Sequence, residues 1–402
     1  MADDPRSLFL RHVCQTSDAP MGIVVERAQG ATVWDRDGRA WLDLLAGMGV
    51  ANIGHAHPEV IAAIQTQAAR HLHVMVYGEF IQEPQARLAA RLASLLPAPL
   101  SVTYFTSTGA EAIEGALKTA RKHTGRPKFV AFDGGFHGDT FGALSIGGNP
   151  VYRAPFEPLL PGISFLPFDD IAALTAIDGD TAAVVVEPVQ AEAGVRIPSP
   201  EFLPALRRRC DQVGALLIFD EVVTGFGRTG TLFGFQHWNV VPDLLVLAKA
   251  LGGGLPLGAF VGAPAVMRTL QHDPPLAHVT TFGGHPLSCA AGLAGLEVLL
   301  REQLPARAVQ TGKHFTAGLE HLIGRGGLVA VRGLGLLLGM EFDTAAHCAA
   351  FSRAAVHEGL ILNWTLHRDT VVRLAPPLTL DASELAHALA AISRALAQPS
   401  FD

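Results

Sequence analysis

The sequence is poor in positive charge and in long apolar runs, and each shortage excludes a class of protein. The 402 residues carry a formal net charge of −7, and residues 207–209 form the only uninterrupted run of three basic residues. This distribution argues against nucleic acid or an anionic membrane as a partner. No apolar run approaches the roughly 18 residues of a membrane span, and the acidic start lacks a signal-peptide core. We therefore expect a cytoplasmic protein.

Paired cysteines and the common nucleotide-binding motifs are also absent. The four cysteines form no CxxC pair, so neither a disulfide framework nor a zinc site is indicated, and we expect no metal. A P-loop is excluded because GxxxxGK[ST] does not occur; the glycines at 252–254 follow Lys249 instead of preceding it. No GxGxxG motif joins a predicted strand to a helix, which excludes a Rossmann nucleotide site.

What the sequence does contain suits a large α/β enzyme. Hydrophobic residues make up 49% of the chain, charged residues 17%, and there are 42 glycines, which is enough material for a sizeable buried core. In the middle of the chain, short apolar strands alternate with helices, which predicts a mostly parallel sheet covered on both faces. Ligands bind at the carboxyl ends of such strands. The predicted strands are 101–106, 128–132, 182–187, 215–220, 244–248 and 259–262, and the predicted helices are 109–122 and 200–213.

The two ends of the chain have a different pattern. Residues 21–45 resemble short antiparallel strands, and from about residue 295 long helices alternate with glycine-punctuated strands at 328–342 and 370–374. We expect a smaller α+β domain assembled from both chain ends. The predicted division places the N-terminal part of the small domain at 1–50, the large domain at 51–290 and the C-terminal part of the small domain at 291–402.

Lysine is much rarer than arginine, which draws attention to Lys249. Only five of the 30 Lys and Arg residues are lysine, and Lys249 alone interrupts an apolar run. Arginine stays protonated and cannot act as a nucleophilic amine, whereas a desolvated lysine can lose its proton and form a Schiff base. The alternative is a lysine whose stem packs on the core while its ammonium reaches water.

Three further features precede Lys249 in the chain. Gly109 follows a strand and opens a helix, where an anion can bind. Phe136 follows a glycine turn and could stack on a flat ring, or it could be ordinary core. Asp220 ends a buried strand, where a carboxylate is costly without a positive partner, or it caps the next element. An anion site, an aromatic face, an acid and an amine together match pyridoxal 5′-phosphate.

The chain resembles the class III (ω-amino-acid) aminotransferases of the fold-type I pyridoxal-phosphate enzymes. The resemblance implies an α/β fold with a mostly parallel central sheet, helices on both faces and a smaller α+β domain. The motifs that carry it run nearly end to end: Gly54-His-Ala-His-Pro58, Ser107-Thr-Gly-Ala-Glu-Ala112, Phe136-His-Gly138, Glu187-Pro-Val-Gln190, Asp220-Glu-Val-Val-Thr-Gly225, Leu247-Ala-Lys-Ala-Leu-Gly252, Thr280-Thr-Phe-Gly-Gly284 and Val372-Arg-Leu-Ala-Pro-Pro377.

The resemblance implies a role for each matching residue. Lys249 would hold the cofactor as a Schiff base and act as the general base, and Asp220 would pair with the ring nitrogen. A homodimer is expected as the minimal active unit, with a tetramer as the larger alternative. The remaining implied cofactor contacts are Thr108, Gly109 and Ala110 at the phosphate, Phe136 and Val222 on the two ring faces, His137 next to Phe136, Glu187 near the cofactor hydroxyl, and Thr281 at the phosphate of the neighbouring subunit's cofactor.

The resemblance also suggests the substrates. In the acetylornithine, ornithine and 4-aminobutyrate subgroup, the arginine matching Arg373 binds a substrate carboxylate, and the glutamate matching Glu192 can pair with it. This implies ping-pong transfer from an N-acetylornithine-like or ornithine-like donor to a 2-oxo acid such as 2-oxoglutarate. Val223 replaces the Gln usual in that subgroup, as in many ω-amino acid:pyruvate enzymes, so an ω-amino acid:pyruvate, 4-aminobutyrate or diamine transaminase stays open. Aminomutases and racemases resemble the same family and use the same Lys and Asp, so they stay open as well. Tyr77 could line the substrate entrance, or belong to the core or an interface.

Overall fold

The N-terminal part of the chain forms short antiparallel strands and several helices. The structure is a computed structural model that describes residues 4–18, 20–76 and 78–398. The first three strands pair antiparallel, as predicted for residues 21–45. The elements are α1 (Pro5–His12), β1 (Val25–Gln29), β2 (Thr32–Asp35), β3 (Ala40–Asp43), α2 (Ala46–Gly49), α3 (Pro58–Arg70) and α4 (Glu83–Leu95).

Seven strands form the central sheet: β4 (Val102–Thr106), β5 (Lys128–Phe132), β6 (Ile163–Leu166), β7 (Thr181–Val186), β8 (Leu216–Asp220), β9 (Leu244–Leu247) and β10 (Gly258–Gly262). Their order across the sheet is β4-β10-β9-β8-β7-β5-β6. Strands β5 to β9 pair in parallel, and β10 runs antiparallel to both β4 and β9. The predicted mostly parallel sheet is therefore confirmed. The prediction omitted β6, whose residues are mostly only partly buried.

Helices cover both faces of this sheet. Ile113 and Leu117 of α5 pack in one apolar cluster with Val246 and Phe260, while α8 contributes to a second cluster that includes Phe219. Alternate residues of each strand enter the two clusters, and each fully buried Leu or Phe side chain contributes roughly 1.5–3 kcal/mol. The helices are α5 (Gly109–Thr124), α6 (Phe141–Ser145), α7 (Pro150–Arg153), α8 (Phe202–Val213), α9 (Pro264–Met267), α10 (Pro286–Arg301) and α11 (Leu304–Glu320).

The C-terminal part forms a third sheet and also completes the first. The third sheet has the order β11-β12-β15-β14, and β13 pairs in parallel with β3 near the other chain end. Helix α10 spans the predicted boundary at residue 290, and the division into 1–50, 51–290 and 291–402 stays a prediction. The elements are β11 (Leu328–Leu334), β12 (Leu337–Phe342), α12 (Ala345–His357), β13 (Leu360–Ile361), β14 (Asn363–Thr365), β15 (Arg368–Leu374) and α13 (Ala382–Ala397).

The sheet brings distant motifs to one edge. Asp220 is the last residue of β8, Glu187 follows β7 directly, and Lys249 comes two residues after β9. Thr108 lies two residues beyond β4, which runs in the same direction because β10 reverses between them. The carboxyl ends of these strands therefore meet, at the position where open α/β sheets bind ligands. Across the described ranges, no helix combines the length and apolar character that a bilayer crossing requires.

Candidate active site

A cavity of about 400 Å³ opens at this edge of the sheet. Its size falls in the range of roughly 300–1,000 Å³ that is typical of small-molecule sites. Ten residues predicted from the sequence line it together: Thr108, Gly109, Ala110, Phe136, His137, Glu187, Glu192, Asp220, Val222 and Lys249.

Lys249 begins a short 3₁₀ turn and lines the cavity. Its φ of 49° is in the left-handed region, a conformation that costs a non-glycine residue free energy and is found preferentially at functional sites. Burial lowers the pKa of the Lys249 amine, and the positive charge of Arg373 lowers it further. The environment therefore raises the fraction of neutral amine, which is the nucleophilic form.

Buried acidic groups form one end of the cavity, which we call the Asp220 end. Asp220 is 4% exposed and accepts hydrogen bonds from the Val222 amide (3.0 Å) and from Nδ1 of His137 (2.8 Å). Burial lowers the pKa of His137, but the hydrogen bond to Asp220 and its charge outweigh burial and raise it. Burial raises the pKa of Glu187 to about 7, although its carboxylate accepts the Phe136 amide (2.9 Å).

The start of helix α5 forms an anion-binding wall next to this end. Thr108 caps the helix, because its Oγ1 accepts the Glu111 amide (3.1 Å). The first amides of a helix have no partner within it, so those of Gly109 and Ala110 are suited to an anion. A Cβ at position 109 would lie 3.1 Å from a Val222 methyl group. Glycine therefore lets the helix start approach Val222 closely.

Glu192, which also lines the cavity, forms an ion pair with Arg373, and we call this part of the site the Arg373 end. Arg373 on β15 donates to the Glu192 carboxylate, and the two residues are 3% and 7% exposed. Glu192 also accepts the Leu366 amide (3.0 Å), and Nη2 of Arg373 approaches Sδ of Met48 at 3.7 Å. Burial alone would raise the pKa of Glu192, but Arg373 and the Leu366 amide hold it below its ordinary value.

Three predicted residues are not among the described residues that line the cavity. Arg373 is not a lining residue and meets the site through its ion pair with Glu192. Thr281 is exposed and is not part of the cavity lining of its own chain, so its contact with a neighbouring subunit stays a prediction. Tyr77 lies outside the described residues. Among the described residues, no cluster of three or more His, Cys, Asp or Glu side chains is suited to a metal ion.

Sequence reasoning missed part of the cavity wall. Val50 and residues 255–257 also line the cavity. Val50 follows a bend in which Gly47 and Met48 both have left-handed backbone conformations, with φ of 57° and 67°. The closely spaced glycines at 47 and 49 were the signal available for this bend, since glycine adopts such conformations without strain.

The residues present fit pyridoxal 5′-phosphate. The cofactor carries an anionic phosphate, a ring nitrogen that takes a proton and an aldehyde that condenses with amines. The helix start at Gly109 suits the phosphate, the buried Asp220 suits a protonated nitrogen, and the amine of Lys249 suits the aldehyde. All three groups line the same cavity.

Comparisons with known proteins agree with this fit. The family model described as Aminotransferase class-III matches residues 13–396. The acetylornithine aminotransferase of Methanopyrus kandleri is 44% identical over 398 residues, covering 98% of this chain and 99% of that protein. The putrescine aminotransferase of Pectobacterium atrosepticum is 42% identical over 389 residues, covering 93% of this chain and 82% of that protein.

A solved structure extends the agreement to the fold. The crystal structure of the ornithine aminotransferase from Toxoplasma gondii aligns with a TM-score of 0.90 at 33% identity, covering 97% of this chain and 93% of that chain. The predicted fold class is confirmed by this likeness. The chain therefore belongs to the class-III aminotransferases, whose transaminations depend on pyridoxal 5′-phosphate.

Proposed function

We propose that the enzyme transfers an amino group from an N-acetylornithine-like or ornithine-like ω-amino donor to a 2-oxo acid such as 2-oxoglutarate, in a ping-pong reaction. The observation that carries this proposal is the buried ion pair between Arg373 and Glu192, a residue that lines the same cavity as Asp220. An arginine in such a position can bind a carboxylate through two parallel hydrogen bonds. The similarity to the acetylornithine and ornithine enzymes supports this choice of substrates.

The residues at the Asp220 end would hold the cofactor. Asp220 would keep the ring nitrogen protonated, the helix start at Thr108, Gly109 and Ala110 would bind the phosphate, and Phe136 and Val222 would cover the ring faces. His137 supports Asp220 from behind through its hydrogen bond. When bound, the cofactor supplies an aldehyde that condenses with amines and a ring that delocalises the electron pair left by proton removal.

Lys249 would hold the cofactor covalently between turnovers and move the proton during them. Its Nζ, whose pKa burial and the charge of Arg373 lower, would accept the proton from the amine-bearing carbon of the donor as a general base and later give it up as a general acid. The neutral fraction matters because a protonated amine has no free electron pair for either task.

Glu192 would decide how substrates enter. In this structure the Glu192 carboxylate is paired with the Arg373 guanidinium, so a substrate carboxylate must displace Glu192 to bind Arg373. The ω-amino end of a donor and the carboxylate of a 2-oxo acid would then bind in the cavity one after the other. A donor without a carboxylate would leave the pair closed.

The active assembly would be a homodimer, or a tetramer built from such dimers, located in the cytoplasm. Support for the dimer comes from Thr281, which is exposed and available to a neighbouring subunit. Support for a reducing compartment comes from Cys210, Cys289 and Cys348, which are buried and unpaired, since disulfides form mainly in oxidising compartments.

A diamine transaminase is the second candidate. The similarity to a putrescine aminotransferase and the apolar Val223 in the cavity wall favour it. A diamine has no carboxylate for Arg373, so in this function only the 2-oxo acid acceptor would use the Arg373–Glu192 pair.

A half-reaction panel separates the two candidates. The holoenzyme is mixed with N-acetylornithine, ornithine, 4-aminobutyrate, β-alanine or putrescine, and loss of the visible cofactor absorbance is followed. We expect N-acetylornithine or ornithine to react fastest, and the aminated enzyme to be restored by 2-oxoglutarate. Weak reaction with N-acetylornithine and strong reaction with putrescine would reject the proposed subgroup.

A further inference from the structure

The turn between β14 and β15 reaches from the third sheet to the loops around the cofactor cavity. His367 lies at its tip, and Nδ1 of His367 donates to the Gly134 carbonyl at 2.9 Å. Gly134 lies only two residues before Phe136. A side chain 233 positions away in sequence therefore contacts the turn that carries the aromatic residue of the cavity.

The imidazole of His367 also contacts Phe136 itself. The two ring centroids are 5.8 Å apart with planes at 76°, an edge-to-face pair. On another side, the ring of Tyr152 lies 5.3 Å away, and its hydroxyl donates to the Leu366 carbonyl (2.8 Å). Aromatic pairs in this geometry are attractive beyond the area they bury.

The backbone of the same tip is fixed to Glu192. The Leu366 amide donates to the Glu192 carboxylate (3.0 Å), and the His367 amide donates to the Glu192 carbonyl (2.9 Å). The imidazole is thus held by a carbonyl, a neighbouring ring and its own backbone. Burial lowers the pKa of His367 and so favours the neutral ring, and the Gly134 carbonyl, which can only accept, requires the proton on Nδ1.

We propose that His367 is a positioning residue that holds the Phe136 ring against the cofactor. The inference rests on the proposed function, in which Phe136 covers one ring face. The imidazole restricts Phe136 from the side, and its hydrogen bond to Gly134 fixes the turn from which Phe136 projects. The tip belongs to the hairpin that carries Arg373. The same hairpin therefore supports both the Arg373 end and the Phe136 ring.

The test measures cofactor binding and not turnover. The dissociation constant of pyridoxal 5′-phosphate and the visible circular dichroism of the bound cofactor are compared between wild type and His367→Ala. We expect the dissociation constant to rise about 2- to 10-fold, the range for one lost aromatic pair, and the dichroism to decrease. His367→Phe keeps a ring at this position but loses the hydrogen bond to Gly134, so it should recover part of the loss.

Two further variants calibrate the result. His387→Ala removes an exposed histidine from α13 and should change neither quantity, while Phe136→Ala should change both. If His367→Ala changed neither the dissociation constant nor the dichroism while Phe136→Ala changed both, the inference would be wrong and the proposed function would stand. An equal response in His387→Ala, or no recovery in His367→Phe, would also overturn it. If Phe136→Ala also changed neither quantity, the proposed contact between Phe136 and the cofactor ring would be wrong, and so would the inference.

Discussion

The two ends of the cavity handle buried charge in different ways. At the Asp220 end, the carboxylates of Asp220 and Glu187 accept hydrogen bonds from backbone amides, and His137 supports Asp220 from behind. At the Arg373 end, two opposite charges neutralise each other directly. The first end is therefore a set of hydrogen-bonded acidic groups, whereas the second is a single ion pair in which we propose that a substrate carboxylate replaces Glu192.

In the proposed function, this difference would let one cavity hold a permanent cofactor and exchange its substrates. A fixed group suits a cofactor, because its partners are in place before binding and need no reorganisation. A buried ion pair is costly to break by removing one partner, since the other charge is left uncompensated. In the proposed function, an incoming carboxylate would avoid this cost by taking the place of Glu192.

Asp220→Asn breaks the Asp220 end and should have the largest effect. The amide keeps the volume and an oxygen that can accept the Val222 amide, but it removes the charge that would hold a proton on the ring nitrogen. We expect kcat to fall about 100-fold or more, as for the loss of one electrostatic stabiliser elsewhere. Steady-state kinetics of the holoenzyme measure this, with the exposed Asp211→Asn as control. A loss below tenfold would contradict the proposed role.

Arg373→Lys tests the Arg373 end. Lysine keeps the positive charge next to Glu192 but cannot form two parallel hydrogen bonds with a carboxylate. We expect kcat/KM for N-acetylornithine or ornithine to fall about 30-fold or more. The same variant with putrescine, which has no carboxylate, provides the control and should change less than threefold. Equal losses with both donors would show that Arg373 does not bind the substrate carboxylate.

Glu192→Gln removes the carboxylate that would compete with a substrate carboxylate for Arg373. Glutamine keeps an oxygen for the Leu366 amide but gives up the charge that holds Arg373. We expect KM for 2-oxoglutarate to decrease about threefold or more, with kcat little changed, because a substrate carboxylate no longer displaces a charged partner. Glu320→Gln at the exposed end of α11 is the control. An unchanged or higher KM would argue against exchange at this end.

A smaller effect concerns Glu221, the residue after Asp220. Glu221 is fully buried and does not line the cavity. Burial raises its folded-state pKa to about 7, although the Phe235 amide (2.7 Å) and the Thr224 hydroxyl (3.1 Å) both donate to it. The pKa of Glu221 in the folded state lies above the unfolded value of 4.5. Protonation of Glu221 therefore stabilises the folded state in full below pH 4.5. This stabilisation is lost as the pH rises to about 7, by at most about 3 kcal/mol.

Thermal unfolding of the apoenzyme at several pH values measures this contribution. The decrease in Tm between pH 5 and pH 8 should be smaller in Glu221→Gln than in wild type, by a few degrees at most. Part of the decrease should remain in the variant, because burial also raises the pKa of Glu187 to about 7. Identical pH profiles for the two proteins would show that Glu221 ionises normally.

The sequence predicted the central sheet and the positions of its strand-end residues. Buried strands such as β8 and β9 are continuous apolar runs, so Asp220 at the end of β8 and Lys249 just beyond β9 could be located from local pattern alone. The phosphate-type helix start at Gly109 is local in the same sense. The family resemblance then assigned roles that pattern alone left open.

Contacts between distant segments could not be predicted in this way. His137 and Asp220 are 83 positions apart, and Glu192 and Arg373 are 181 positions apart. Periodicity along the chain records which face of an element is buried, but it does not record which loop approaches which. The family motifs suggested the Glu192–Arg373 pair, whereas nothing in the turn at His367 indicated its approach to Phe136.

The covalent link to Lys249 is the central claim and can be tested directly. The holoenzyme is reduced with borohydride, digested and analysed by mass spectrometry. Because the chain has only five lysines, those at 118, 122, 128 and 313 serve as internal controls. We predict that the reduced cofactor is found on the peptide that contains Lys249 and is absent from Lys249→Arg. Attachment at another lysine, or no attachment in a protein that has bound the cofactor, would contradict the account.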